Sequence, residues 1–482
     1  MTLDITQRRS MWINGQWQEA RGKRRLGIMN PADESLLTEV PWGDEEDAHL
    51  AVDAAAKAFD DWRARSVWER GAFLERAAKL LRERVERYAR VMTMEQGKPL
   101  AESRGEILMT ADTLEWSVAE AKRAYGRSIP ATSSAKRHWT LRHPVGVVAT
   151  ITPWNFPMTL ASRKIAPALA VGCTVVCRPA DQTPLSLLNL LECLEDAGLP
   201  AGVANGFIGD PVAFSNVIFA RPEVRKISFT GSTMVGKELM RRAADKVKRL
   251  SLELGGHAPF IVFPDVDLEA VTMAAVAGKF RNNGQVCICP SRFYAHRDIA
   301  ARFTEMVVAK ARALTLGNGL EAGVQVGPMF EKRFLDKTVA MVEDARQRGS
   351  RVLTGGERSR RFEKGFFFEP TVLQSPAQDS RLMNEEPFAP ILPILEFSSS
   401  EEVLAAANQT PYGLAAYVFT RDLSTAVRMS EGLEAGIIGL NDPVPTTVQC
   451  PFGGMKESGL GREMGREGVE SYLETKFVSL AL

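Results

Sequence analysis

A thiol and a carboxylate stand in segments whose local chemistry suits a covalent reaction. Cys287 lies in Phe280-Arg-Asn-Asn-Gly-Gln-Val-Cys287-Ile-Cys289-Pro290, and Glu253 lies upstream in Leu252-Glu253-Leu254-Gly255-Gly256-His257. A thiol attacks a carbonyl carbon once its proton is removed, and a carboxylate can take a proton from the thiol or from water. The apolar spacing from Leu268 to Arg281 predicts a helix that breaks at Asn282-Asn283-Gly284, leaving the thiol on a turn that a small molecule can reach. The third group is Asn155, in Ile151-Thr152-Pro153-Trp154-Asn155-Phe156-Pro157, where prolines and aromatics end a strand and fix an amide. That amide is a candidate donor to the oxyanion created by thiolate attack.

Two further segments have the chemistry of a nucleotide site. In Phe229-Thr-Gly231-Ser232-Thr-Met-Val-Gly236-Lys237 a predicted strand opens into a helix, where free N–H groups and the helix dipole favour a phosphate. The run is neither a GxGxxG fingerprint nor a complete Walker motif. In Val175-Val-Cys-Arg178-Pro179-Ala-Asp181-Gln-Thr183-Pro184 an acid follows a strand and suits a ribose diol. Asp181 favours NAD, and Arg178 three residues earlier would instead attract a 2′-phosphate. The reading leans to NAD. Asp181 as the cap of the helix opening near Pro184 is the structural alternative.

The elements that must carry these groups follow from periodicity. Helical spacing from Asp44 to Trp62 and from Trp68 to Gln96, with Gly97 as a stop, predicts helices packed at the surface. From Val145 the pattern changes to strands (145–151, 173–177, 205–208, 225–229) alternating with helices (158–170, 184–197, 232–244). That alternation predicts a parallel sheet covered on both faces. A second α/β set begins near Leu254, with strands near 259–263, 292–296, 368–373, 391–397, 415–419 and 435–440. Segments 128–141 and 472–482 read as exposed strands seeking a partner, most economically in another subunit.

The chain has 482 residues, 45% hydrophobic and 25% charged, with 60 Lys plus Arg against 59 Asp plus Glu and a net charge of +1. That balance excludes a global field for nucleic acid or an anionic membrane and points to a small-molecule partner. Six cysteines are too sparse for a secreted disulfide scaffold, and MTLDITQRRS has no apolar leader core, which together predict a reducing cytoplasm. No apolar run approaches the roughly 20 residues of a membrane span. No metal site is expected.

Together the motifs PWNFP, FTGS, ELGG, GQxC, EEPF and PFGG, in this order, resemble those of the aldehyde dehydrogenase superfamily over essentially the whole chain. The resemblance implies an α/β fold with three parts. A Rossmann-like NAD(P)-binding domain would span 1–127 and 142–253, a catalytic α/β domain 254–445, and an oligomerisation arm with the C-terminal segment 128–141 and 446–482. It implies a homodimer or homotetramer. Cys287 falls on the family's nucleophile, Glu253 on its general base and Asn155 on its oxyanion amide. Cofactor contacts fall on Ile151, Thr152, Pro153, Trp154, Arg178, Asp181, Gly231, Ser232, Leu254, Glu386 and Phe388. The implied route is a Cys287 thiohemiacetal, hydride transfer to NAD or NADP, and hydrolysis of the thioester. Arg178 replaces the family's usual lysine. Ala389 replaces a common glycine and is expected to disfavour positive φ in the loop that holds the nicotinamide ribose.

The succinate-semialdehyde branch is the most similar, because Arg163 and Arg281 match its two carboxylate-clamping arginines and Thr446 or Thr447 matches an assisting hydroxyl. A guanidinium fork suits a carboxylate at the far end of the substrate. His257 and the Gly284-Gln-Val-Cys-Ile run also resemble the 2-oxoglutarate-semialdehyde branch. Glutarate semialdehyde and simpler aliphatic aldehydes are further alternatives. Cys289, by resemblance to semialdehyde dehydrogenases with a Cys-x-Cys pair, is a candidate redox switch, against the plainer reading of a packed loop thiol. CoA-acylating relatives usually lack a glutamate at position 253. A non-catalytic relative would be expected to lose Cys287, Glu253 or Asn155.

Overall fold

Short apolar runs bounded by glycine and proline form two sheets in the computed structural model, which describes residues 9–482. Most of the opening segment read for a leader lies outside the described residues. In the first sheet five strands run parallel in the order Arg249–Glu253, Val224–Thr230, Val147–Ile151, Thr174–Arg178 and Ala204–Gly206. Gly459–Leu460 adds antiparallel at one edge, and the hairpin of Met11–Ile13 and Gln16–Gln18 at the other. From Val147–Ile151 the sheet grows one way to Thr174–Arg178 and the other way to Val224–Thr230, so a crevice opens where the order reverses. Segments 152–157, 178–181, 231–232 and 253–256 all leave the carboxyl ends of these strands.

The second sheet has the order Arg351–Thr354, Thr371–Gln374, Ile391–Phe397, Pro290–His296, Ala258–Val262, Ala415–Phe419 and Ile437–Leu440. Only its first pair is antiparallel. The inner strand Ala258–Val262 is buried along its whole length, as expected of a parallel sheet covered on both faces. Glu253 ends a strand of the first sheet and Ala258 begins one of the second, so 254–257 is the crossing between them. Cys287 comes just before Pro290–His296. The amino edge of the second sheet therefore meets the carboxyl edge of the first.

Three expectations need correction. The helix expected over 68–96 is two helices, Val67–Glu83 and Val85–Gln96, and the second ends in the interior with Met92 to Gln96 buried. Gly97 does stop it, in a left-handed conformation. The strand expected at 368–373 begins at Thr371, because Pro370 has no N–H to give and Phe368 makes only an isolated bridge to Arg358. The two strands thought to seek a partner pair with each other, Lys136–Pro144 antiparallel to Leu473–Ala481 over nine residue pairs. Their mutual pairing satisfies one edge of each strand within the chain.

Glu95 shows why the end of Val85–Gln96 is internal. Its carboxylate accepts from the N–H groups of Leu185 (2.9 Å) and Ser186 (2.8 Å) and from the Ser186 hydroxyl (2.5 Å), capping the helix Pro184–Asp196 from outside. Thr183, the residue at the N-cap position, makes no side-chain cap, and neither does Asp181. Glu95→Ala leaves two buried N–H groups without acceptors and is expected to lower stability by about 2–4 kcal/mol. An unchanged urea midpoint would contradict this role.

Candidate active site

The turn that carries the thiol is strained into place. The helix Leu268–Phe280 runs into a short turn in which Asn282 and Asn283 adopt φ of 44° and 57°, a region asparagine tolerates better than most residues. Side chains from the first sheet's loop and from an N-terminal helix hold it there. Asn282 Nδ2 donates to the Asn155 carbonyl at 3.0 Å, and Asn155 Nδ2 donates to the Gln285 carbonyl at 3.1 Å. The backbone N–H of Asn282 donates to the Glu102 carboxylate at 2.9 and 3.1 Å. Gly256 lies so close to the Cys287 carbonyl that no Cβ would fit, which brings the crossing that begins at Glu253 against the Cys287 loop.

Asn155 is itself anchored by residues that sequence reasoning passed over. Lys98 Nζ donates to the Asn155 carbonyl at 2.7 Å and to Glu106 at 2.6 Å, and it stands 3.9 Å from the centroid of the Phe156 ring. Glu106 also accepts from the N–H groups of Met158 (2.9 Å) and Thr159 (3.1 Å), which open the helix Thr159–Val171. Lys98, Glu102 and Glu106 are spaced four apart. In a helix-rich segment that charged stripe looks like a solvated face, and only the fold shows that Lys98 and Glu106 are buried.

A cavity of about 410 Å³ opens in front of the thiol, lined by Cys287, Phe156, Arg163, Arg281, Thr446 and Phe452 among others. Arg163 is buried, its guanidinium lies 4.5 Å from the Phe452 ring centroid, and its Nε has no acceptor among the described residues. Arg281 is exposed at the mouth, over the Phe156 ring at 5.1 Å. Thr446 Oγ1 is buried without a partner, whereas Thr447 donates to Gln449 and lines no part of the cavity. His257 lies apart, with Nδ1 2.7 Å from Ser291 Oγ and Nε2 3.1 Å from the Met383 carbonyl. Burial and Arg292 hold it well below the usual imidazole range, so it is a neutral structural group.

Burial also sets the titration of the reactive groups. It pushes the Cys287 thiol up to about 12, and Glu386 adds to the rise while Arg163 opposes it. Burial and then Glu463 hold Glu253 well above the usual carboxylate range, against Lys164, Arg163 and Arg462. Both Glu253 oxygens are buried with no hydrogen bond among the described residues. Lys164 pairs with Glu463 and donates to Thr230 Oγ1 at 2.6 Å. Cys289 is buried behind the loop, its Sγ 3.5–3.6 Å from the carbonyls of Gly278, Lys279 and Pro290. Both thiols are free.

The nucleotide-like segments are also gathered at the crevice. Ser232 caps the helix Thr233–Ala244, its hydroxyl accepting from Val235 N at 3.4 Å. Arg178 and Asp181 form an ion pair, and the guanidinium also donates to the Gly209 carbonyl at 3.0 and 3.2 Å and to the Pro179 carbonyl at 3.2 Å. Glu386 accepts from Gly256 N at 3.0 Å, and burial raises its carboxyl to about 7. Trp154 stacks on Phe330 at 4.1 Å and meets Phe388 edge-on at 5.6 Å. The strained residue of that loop is Phe388, with φ of 50°, so the methyl of Ala389 falls beside the left-handed position and packs in the core.

The chain matches the model of the aldehyde dehydrogenase family over residues 17–478. It is 43% identical to a succinate-semialdehyde dehydrogenase [NADP(+)] of Escherichia coli (strain K12), covering 98% of each chain. It is 45% identical to a 3-sulfolactaldehyde dehydrogenase of Pseudomonas putida, covering 97% of this chain and 96% of that one. A crystal structure of an E. coli NADP-dependent enzyme superposes with a TM-score of 0.97 at 43% identity, over 98% of both chains.

The Glu253 environment sets a pH dependence. With Glu253 as the proposed base, which must be ionised to act, activity is expected to fall on the acid side as it is protonated. Glu463→Gln removes a neighbouring negative charge and leaves Lys164 uncompensated, and both changes favour the ionised form. The acid limb of kcat/KM is therefore expected to move to lower pH, and a limb that stays or moves upward would refute the coupling.

Proposed function

Since the chain belongs to the aldehyde dehydrogenase family, we propose that it oxidises a semialdehyde with an anionic far end, succinate semialdehyde to succinate foremost. The observation that carries this reading is the pair of guanidinium groups, Arg163 and Arg281, on the wall of the cavity that holds Cys287. A carboxylate seated on them would leave the aldehyde carbon to the thiol. A sulfonate carries the same single charge, in keeping with the sulfolactaldehyde enzyme among the relatives.

The chemistry follows from the groups present. Cys287 gives up its proton through water to Glu253, which passes it on to solvent, as its sulfur bonds to the aldehyde carbon and the carbonyl oxygen takes the charge. Asn155 Nδ2 and the Cys287 N–H are the donors for that oxyanion; one such donor commonly contributes roughly 3–4 kcal/mol to the barrier. Arg163 favours the thiolate through its field. NAD(P), when bound, supplies the two-electron oxidation by accepting a hydride from the aldehyde carbon. The acyl group is then held as a thioester on Cys287. Glu253 takes a proton from water, the water oxygen bonds to the acyl carbon, and the carbon–sulfur bond breaks to release the acid.

The residues present fit the cofactor. The first turn of Thr233–Ala244 is half-exposed to exposed at the crevice and suits a pyrophosphate beside Ser232. Glu386 is a half-buried carboxylate engaged by one backbone donor, suited to a ribose hydroxyl. Ile151 to Trp154, Gly231, Leu254 and Phe388 complete the set. We assign 1–127 and 142–253 to cofactor binding, 254–445 to catalysis, and 128–141 with 446–482 to the arm and C-terminal segment. Gly459–Leu460 nevertheless extends the cofactor sheet. Arg178 already donates to three acceptors of its own chain, so a 2′-phosphate would meet Asp181 without a free guanidinium, and NAD is the expected preference. Exposed Leu141, Phe477, Leu480 and Leu482 on the strand pair support a homodimer or homotetramer.

Cys287→Ala is expected to abolish NADH formation from succinate semialdehyde, and persistent turnover would sink the mechanism. Arg281→Met is expected to lower kcat/KM for the semialdehyde about tenfold and leave butanal nearly unaffected; Arg163→Met is expected to cost about 100-fold and to slow butanal as well. A wild-type preference for butanal would refute the clamp. Comparing kcat/KM with NAD and NADP tests the cofactor assignment, which a preference for NADP would overturn.

A further inference from the structure

The cavity wall carries a third charged group facing the anchors. Glu102 lines the same cavity as Arg163 and Arg281. It also lines a neighbouring cavity of about 330 Å³ whose wall includes Arg281, Val286, Ile288, Cys289 and Val444. Among the described residues Arg281 makes no ion pair within 4.0 Å, and Glu102 and Arg281 act on each other through their fields. Its position is fixed by the Asn282 N–H, which binds both carboxylate oxygens one residue beyond Arg281. The other carboxylate on the wall, Glu106, is neutralised by Lys98. Two guanidinium charges therefore face one unneutralised carboxylate.

We propose that Glu102 is a specificity residue that sets the charge of the substrate tail, leaving the wall with a single net positive charge and so matching a monoanion over a dianion. This rests on the reading of Arg163 and Arg281 as the anion clamp. A tail's interaction with Glu102 scales with the tail's own charge: absent for a neutral tail, repulsive for one negative charge and twice as repulsive for two. Burial favours the protonated acid, while Arg281, the Asn282 N–H and Lys98 favour the carboxylate. Mildly alkaline pH favours the ionised form, and the ratios are compared there. The carboxylate of a semialdehyde and a sulfonate are both monoanions, and a phosphonate of the same length is the dianion for comparison.

The test uses the full-length enzyme with NAD or NADP and three aldehydes of matched length: butanal, succinate semialdehyde and 3-phosphonopropanal. Each kcat/KM is divided by that of butanal in the same variant, which removes any general loss of activity. Glu102→Gln keeps an acceptor for the Asn282 N–H and removes the charge. It is expected to raise the carboxylate ratio about threefold and the phosphonate ratio about tenfold, close to the square of the first. Glu102→Asp keeps the charge, and both ratios are expected to stay within about twofold of the wild type. Equal shifts for the two anionic tails, no shift, or the same shift in both variants would overturn the proposal. A wild type that does not prefer the semialdehyde to butanal fails the clamp itself and removes the proposal with it; the wild-type panel thus separates the two failures.

Discussion

The site depends on one buried cation. Lys98 holds the Asn155 carbonyl and the Glu106 carboxylate together, and Glu106 in turn holds the two N–H groups that open the next helix. Through Asn155 this reaches Asn282 and Gln285, and so the turn that presents Cys287. Asn155 and Cys287, the proposed oxyanion donor and nucleophile, come from different sheets, and their relative position would otherwise rest on apolar packing, which resists sliding weakly. Directional hydrogen bonds in a dry interior fix it instead. The arrangement has a cost: an ion pair with both partners almost fully buried gains little net stability, and removal of either partner typically costs about 3–5 kcal/mol. Placement of the site, more than strength of the fold, is the reason such a pair makes sense here.

The same dryness governs reactivity. Burial raises Cys287, Glu253 and Glu386 together, because each would have to hold negative charge away from water. The thiol is therefore kept protonated until a carbonyl arrives, which protects it from indiscriminate attack. Arg163 and Lys164, neighbours in one helix, both oppose this: Arg163 favours the charged forms of the Cys287 thiol and of Glu253, and Lys164, which pairs with Glu463, favours the charged form of Glu253.

Much of this was legible in the residue order. The thiol turn, the amide between prolines and the strand-to-helix turn at Ser232 are punctuated by glycine, proline and asparagine, whose backbone restrictions are local and can be read without a fold. The parallel strands were legible for the same reason, since burial on both faces writes a continuous apolar run. Lys98, Glu102 and Glu106 were not legible. A charged residue every four positions looks the same whether the stripe meets water or a partner across the interior, and the partners of Lys98 are 8 and 57 positions away in the chain. The pairing of Lys136–Pro144 with Leu473–Ala481 was missed because two edge strands distant in sequence carry no mark of each other. Asp181 was read as a free acid or a helix cap, whereas three-residue spacing places it on Arg178.

The proposed substrate preference rests on what the folded chain leaves unsatisfied. Arg163 is buried against an aromatic face, with a donor nitrogen that finds no acceptor among the described residues, and Glu253 and Glu463 act on it only through their fields. A guanidinium in that position has lost its water and has regained only part of the loss from the Phe452 ring. An aldehyde with an anionic end restores what is missing when it binds, and a neutral aldehyde of the same length does not. On the proposed reading, discrimination would come less from added attraction to the right substrate than from a deficit that only an anion removes. Because the same guanidinium also favours the Cys287 thiolate, the group proposed to select the substrate would act directly on the proposed nucleophile.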